Sequence, residues 1–269
     1  ELSREMAHRS ATDLAPLRPQ HVHEEISPLI QSMNQLMARV REAIAAQRRF
    51  VADASHQLRT PLAVLRTQAE LALRQEELGP IKEAVAQLRD HSQATSHLAS
   101  QLLSLARAEP AMEAPSGVGL MDLAELAREA CSALVPQALA RRVDLGFEAI
   151  EGATIRGQSY LVREMISNLI ENAMRYGSAG GTVTVKVEKP DPGSFLLVVE
   201  DDGPGIPLEE RAKVFERFYR IPGSPGEGAG LGLSIVREIA RGHGASVRLL
   251  DGAAARGLRV EVRFARAVA

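Results

Sequence analysis

His56 stands in the run Ala54-Ser55-His56-Gln57-Leu58-Arg59-Thr60-Pro61-Leu62. An imidazole with a pKa of about 6.5 is largely neutral at pH 7 and keeps a ring lone pair that can attack phosphorus. Alone, such a histidine is more often a plain surface residue. Thr60 follows one helical turn later on the same face. A second group lies in Asn168-Leu169-Ile170-Glu171-Asn172-Ala173-Met174-Arg175-Tyr176. Asn168 and Asn172, four residues apart, share one helix face. There, amide oxygens can ligate a hard cation such as Mg²⁺ and amide nitrogens can bond phosphate oxygens, with Arg175 within reach of phosphate a turn beyond. A third group is Asp201-Asp202-Gly203-Pro204-Gly205-Ile206. A carboxylate leaving a strand can accept the exocyclic amine of adenine, while Gly203 and Gly205 let backbone approach the base. Last come Gly228-Ala229-Gly230-Leu231-Gly232-Leu233, ahead of a helix expected over 234–241. Backbone N–H groups exposed there favour an anion. The Gly-x-Gly-x-Gly spacing, without a preceding strand, is not that of a dinucleotide-binding turn.

Two kinds of element must position these groups. Leu29, Ile30, Met33, Leu36, Met37, Val40 and Ile44 recur at helical spacing, and Val51, Leu58, Leu65 and Ala72 then repeat every seven residues beside Leu62 and Ala69. That seam predicts a long helix seeking a partner, with His56 on a solvent-reachable flank. Pro61 removes one backbone hydrogen bond and predicts a bend. Glu76-Glu77-Leu78-Gly79-Pro80 predicts the turn of a hairpin, with a return helix bearing Ile81, Val85, Leu88, Thr95, Leu98, Leu102 and Leu105 on its inner face. The Pro-, Gly- and Ser-rich stretch 110–119 reads as a domain boundary. Beyond it, helices are expected over 122–142 and 159–176, and strands over 143–148, 182–188, 195–200, 246–250 and 258–264. Residues 221–230 read as a mobile loop.

Composition bounds the partners. A formal charge of −2 and a pI near 6.4 give no basic field for a polynucleotide, so no nucleic-acid partner is expected. The single cysteine, Cys131, excludes an intramolecular disulfide framework. No run approaches the roughly 18 apolar residues of a membrane span, and Glu1 is not an initiator methionine, so the chain reads as part of something longer.

In this order the motifs resemble those of bacterial sensor histidine kinases. His56 sits in what looks like the H-box, 168–176 in the N-box, 201–206 in the G1 box and 228–233 in the G2 box. Val214-Phe215-Glu216-Arg217-Phe218-Tyr219-Arg220 is similar to the F-box. The resemblance implies an α+β protein in which an antiparallel helical hairpin forms a dimeric four-helix bundle, followed by an α/β sandwich of the Bergerat type that binds ATP. It implies His56, Gln57 and Thr60 as catalytic residues and Asn172 as the Mg²⁺ ligand. Nucleotide contacts would come from Asn168, Asn172, Arg175, Tyr176, Asp201, Gly203, Gly205, Gly228, Gly230, Leu231, Gly232 and Leu233. The implied divisions are a partial HAMP linker over 1–49, the phosphotransfer hairpin over 50–109, a linker over 110–119 and the catalytic domain over 120–269. Partners would be a second copy and a response regulator, with the inner membrane reached through a preceding segment. The wording around His56 is similar to that of tricarboxylate-transport and quorum-type sensors.

Two departures from the family pattern stand out. Many relatives carry a carboxylate after the phosphoacceptor, where this chain has Gln57, and Gly257-Leu258 replaces the usual Gly-Thr of the last strand. A carboxylate stabilises charge building on the imidazole; an amide offers only its hydrogen bond. Gln57 therefore keeps open a rival reading, a scaffold or phosphatase without autokinase activity. A gyrase- or chaperone-type ATPase is disfavoured because its water-activating Glu would fall at Asn168.

Overall fold

The computed structural model describes residues 15, 17, 26–75, 77–111, 117–178, 180–224, 229–253 and 256–267. Gly228, most of the expected HAMP remnant ahead of residue 26 and the centre of the 110–119 linker lie outside them. The chain divides into two compact units, 1–91 and 92–269.

The first unit contains helix α1 (Ser27–Ala72) and the beginning of α2 (Leu78–Ala111). The apolar stripe sustains α1 for 46 residues, and the helix continues through Pro61. Leu78 opens α2, so Pro80 stands at the helix start as expected, while Gly79 also falls in the first turn and not in the connection before it. Proline is tolerated there because first-turn N–H groups have no intrahelical acceptor. Leu29, Leu36, Val51 and Leu62 remain exposed, Val51 at 55% and Leu62 at 54%.

The second unit is a two-layer α/β sandwich. Its five-stranded sheet has the order β2-β4-β5-β7-β6, built from β2 (Asp144–Ala149), β4 (Thr182–Asp191), β5 (Ser194–Asp201), β6 (Ser246–Asp251) and β7 (Leu258–Ala265). Only β2 and β4 are parallel. A small antiparallel pair, β1 (Gly119–Asp122) and β3 (Thr154–Gly157), was not legible in the sequence, since each strand has four residues and too few alternations to register. Helices α3 (Leu123–Ala140), α4 (Ser159–Tyr176) and α5 (Gly232–Gly242) pack together as the other layer. Asp122 caps α3, its carboxylate accepting from the Ala124 N–H at 2.8 Å.

The core lies between the layers. Pairing lines up Val187, Leu197 and Val262, and beside them Val185, Val199 and Val260, against Ile166, Ile170, Ile235 and Ile239 of the helices, all buried. On the outer face Val198 is also buried, flanked by Lys186 and Glu261 in the register. Long charged side chains with aliphatic stems can cover such a residue while their heads stay in water.

Candidate active site

A cavity of about 440 Å³ opens in the second unit, within the ~300–1,000 Å³ range of small-molecule sites. Its walls come from the end of α4, the end of β5 with the loop after it, residues 219–224, the turn before α5 and the start of β7. Three of the sequence's candidate groups meet there.

From α4 come Asn172, Arg175 and Tyr176. The helix buries Leu169, Ile170, Ala173 and Met174, and this fixes the rotation that leaves Asn172 half-buried at the wall. Asn168 points elsewhere. It is 3% exposed, its amide donates to the Glu164 carbonyl at 2.9 Å, and its oxygen accepts from Gln101 at 3.2 Å. An amide four residues from Asn172 shares its face only approximately, and here that offset carries Asn168 into the packing against the end of α2.

Asp201 closes β5 and is 8% exposed. Its Oδ1 accepts from the Gly203 N–H at 2.9 Å and the Leu258 N–H at 3.3 Å. Oδ2 has no protein partner among the described residues, so it can receive an external N–H donor. Burial pushes this carboxyl above its ordinary range, partly offset by those two N–H donors. Gly205, at φ +72°, lines the cavity. Gly203 does not: a Cβ there would stand 2.6 Å from the Tyr176 carbonyl oxygen, so its bare Cα lets the loop pack on the end of α4.

Gly230, Leu231, Gly232 and Leu233 complete the wall. Gly232 is the first residue of α5, two before the expected start. A Cβ on it would come within 2.6 Å of Asn172 Nδ2. The helix N-terminus, with its unpaired N–H groups, thus sits against the amide on α4.

Other supporting residues escaped the sequence reading. Tyr219, Arg220, Val214, Ile206, Leu258 and Val260 also line the cavity. Resemblance to the F-box flagged the first three as a block, and the G1 box held Ile206, none with a separate role; Leu258 was marked only as a departure from the family pattern, and Val260 read only as part of a strand. The Tyr219 hydroxyl donates to the Glu210 carboxylate, which also pairs with Lys213 at 3.1 Å, and these contacts hold the Glu210 carboxyl below its ordinary range. Asp202 accepts from the Thr182 N–H at 3.0 Å, tying down the loop after α4. Arg211 donates to the Ile206 carbonyl at 3.0 Å and pairs with Asp251, bracing the loop after β5 against β6.

His56 belongs to the first unit, on α1, and its side chain is exposed. Thr60 is exposed and Gln57 half-buried. No three His, Cys, Asp or Glu side chains gather as a metal site among the described residues.

Residues 46–111 match the family of His Kinase A (phospho-acceptor) domains, and residues 157–267 match the family of histidine kinase-, DNA gyrase B- and HSP90-like ATPases. The chain belongs to the bacterial sensor histidine kinases. Sensor protein kinase PmrB of Pseudomonas aeruginosa is 39% identical over 97% of this chain and 54% of its own length. The signal transduction histidine-protein kinase/phosphatase MprB of Mycolicibacterium smegmatis is 33% identical over 88% of this chain and 48% of its own. The solved Acinetobacter baumannii histidine kinase AdeS shares the fold, with a TM-score of 0.62 at 20% identity over 79% of this chain and 98% of that one. This histidine kinase chain spans about half the length of the curated relatives it matches. Its second unit is an ATP-binding domain. Among the described residues, no helix is long and apolar enough to cross a membrane.

Proposed function

We propose that this histidine kinase uses ATP to phosphorylate its own His56 and passes the phosphoryl group to an aspartate of a response regulator. The observation that carries the reading is the convergence of Asn172, Asp201 and the turn before α5 on one cavity, in a chain whose other unit exposes His56 on a helix.

Each residue has a task set by its chemistry. Asp201 Oδ2 accepts the adenine amine, and the tight loop around Gly205 lies against the base. Arg175 and the N–H groups opening α5 hold phosphate oxygens. Asn172 would hold Mg²⁺ through its amide oxygen. Because no three His, Cys, Asp or Glu side chains gather as a metal cage among the described residues, the ion would rest mainly on the nucleotide phosphates and water, as Mg²⁺ commonly does. When bound, Mg²⁺ neutralises phosphate charge. His56 supplies the attacking ring nitrogen: its N–P bond forms as the bond from γ-phosphorus to the bridging oxygen breaks, leaving ADP. Gln57 orients the imidazole without adding charge stabilisation. With Thr60 it positions water for dephosphorylating the regulator, a reading helped by the kinase/phosphatase name of one relative.

The apolar stripe of α1 would be covered by a second copy, making a four-helix bundle. The remaining assignments follow the family: a HAMP remnant over 1–49, the phosphotransfer hairpin over 50–109, a linker over 110–119, the catalytic domain over 120–269, and inner-membrane attachment through a preceding segment.

Incubation with γ-labelled ATP and Mg²⁺ tests the reading. Acid-labile, alkali-stable label is expected on the parent chain and on neither His56→Ala nor Asn172→Ala. ATP binding without label would favour the scaffold or phosphatase reading that Gln57 keeps open.

A further inference from the structure

His243 lies outside the cavity walls, at the far end of α5, and belongs to none of the motifs that meet at the cavity. Its ring is held on both sides. Nδ1 is 2.7 Å from the Ile239 carbonyl oxygen, which can only accept, so Nδ1 carries the proton. Nε2 is 3.0 Å from the Gln158 backbone N–H, which can only donate, so Nε2 is bare. The partners together fix one neutral tautomer.

The two residues so joined are helix ends. Gln158 is the N-cap of α4, and His243 the C-cap of α5. A groove for the ring is built into the backbone: a Cβ on Gly157 would stand 2.6 Å from His243 Nε2 and overlap Cδ2. At the opposite ends of the same two helices, Gly232 lies against the Asn172 amide. Helices α4 and α5 are therefore an antiparallel pair, pinned by an imidazole at one end and forming the phosphate wall at the other. Helices transmit small axial shifts almost rigidly, so the pin at residues 158 and 243 sets the register at 172 and 232.

We propose that His243 is a positioning residue for nucleotide binding, pinning α5 to α4 so that the N-terminus of α5 meets Asn172 in the phosphate-binding register. This rests on the nucleotide site proposed above. His243 touches neither nucleotide nor metal; it acts through the helix pair.

A double-mutant cycle tests it, using the whole chain, an ATP analogue with Mg²⁺ in calorimetry, thermal midpoints, and the ¹⁵N imidazole spectrum. The parent should show the Nδ1–H tautomer. His243→Ala should weaken nucleotide binding roughly tenfold, about the loss of a hydrogen-bonded bridge, while the chain stays folded. Gly157→Ala should do the same by displacing the ring. In the double variant the glycine substitution should cost nothing further, because the ring it collides with is gone. Fully additive losses, or unchanged affinity in folded His243→Ala, would overturn the proposal. So would an Nε2–H tautomer in the parent. A parent with the expected tautomer that binds no adenine nucleotide would also remove the positioning role, and would locate the failure in the nucleotide site itself and not in the pin.

Discussion

Asp201 is the side chain through which the proposed nucleotide site would cost the fold stability. Burial raises its carboxyl pKa in the native state, so the folded chain holds a proton that the unfolded chain releases over the window above the ordinary Asp value. The contribution to stability is present below that window and lost as pH rises through the folded pKa. Above that window the ionised group is a net burden that Gly203 and Leu258 only partly relieve. Asp201→Asn keeps an oxygen for those two donors and removes the charge, but turns an N–H toward the adenine amine. We expect a higher thermal midpoint at pH 7, a flatter stability profile at acidic pH, and ATP affinity reduced roughly ten- to a hundredfold. Unchanged affinity in calorimetry would remove Asp201 from adenine recognition. Cys131 is the contrasting case: burial pushes its thiol up to about 11, so it stays protonated as a packing group of α3.

Helices α4 and α5 make the wall by approaching closely, and that approach depends on Gly232. Alanine is the better helix former, and the group it would press on is the end of the Asn172 side chain, which can swing aside. The fold should accept Gly232→Ala and the site should not. We expect a thermal midpoint within a few degrees of the parent, with affinity for the Mg²⁺ nucleotide lowered roughly tenfold as the amide leaves its place. A large drop in midpoint with parental affinity in the folded remainder would mean that Gly232 serves packing and not the site. Gly257 differs in kind. At φ +79°, with a Cβ that would overlap the Asp201 carbonyl, it lets the backbone entering β7 pack against the end of β5.

At the scale of the whole molecule the first unit leaves apolar surface uncovered. Val51 and Leu62 lie on the heptad stripe of α1, and burying a Val or Leu side chain contributes about 1.5–3 kcal/mol. A stripe of this length is expected to find a second copy. Val51→Glu with Leu62→Glu should convert a dimer to a monomer in analytical ultracentrifugation while nucleotide affinity of the second unit stays within about twofold, since the cavity draws no wall from these residues. A dimer that persists unchanged would place the interface elsewhere.

The sequence by itself determined the two kinds of architecture, the family and three of the groups that meet at the cavity. Period and spacing are local: α4 over 159–176 follows from its apolar face, and motifs such as Asp201-x-Gly-x-Gly keep their reacting atoms within one turn or loop. Tertiary structure decided what depends on contacts between distant segments. It sent Asn168 to Gln101 and kept Asn172 at the wall, because the rotation of α4 is set by its neighbours. It brought Val260 of β7 to the cavity through its pairing with Val199 and Leu258 through its N–H bond to Asp201, and joined His243 to Gln158 across 85 residues of chain. Such pairings depend on the sum of core packing, which no single window of residues encodes.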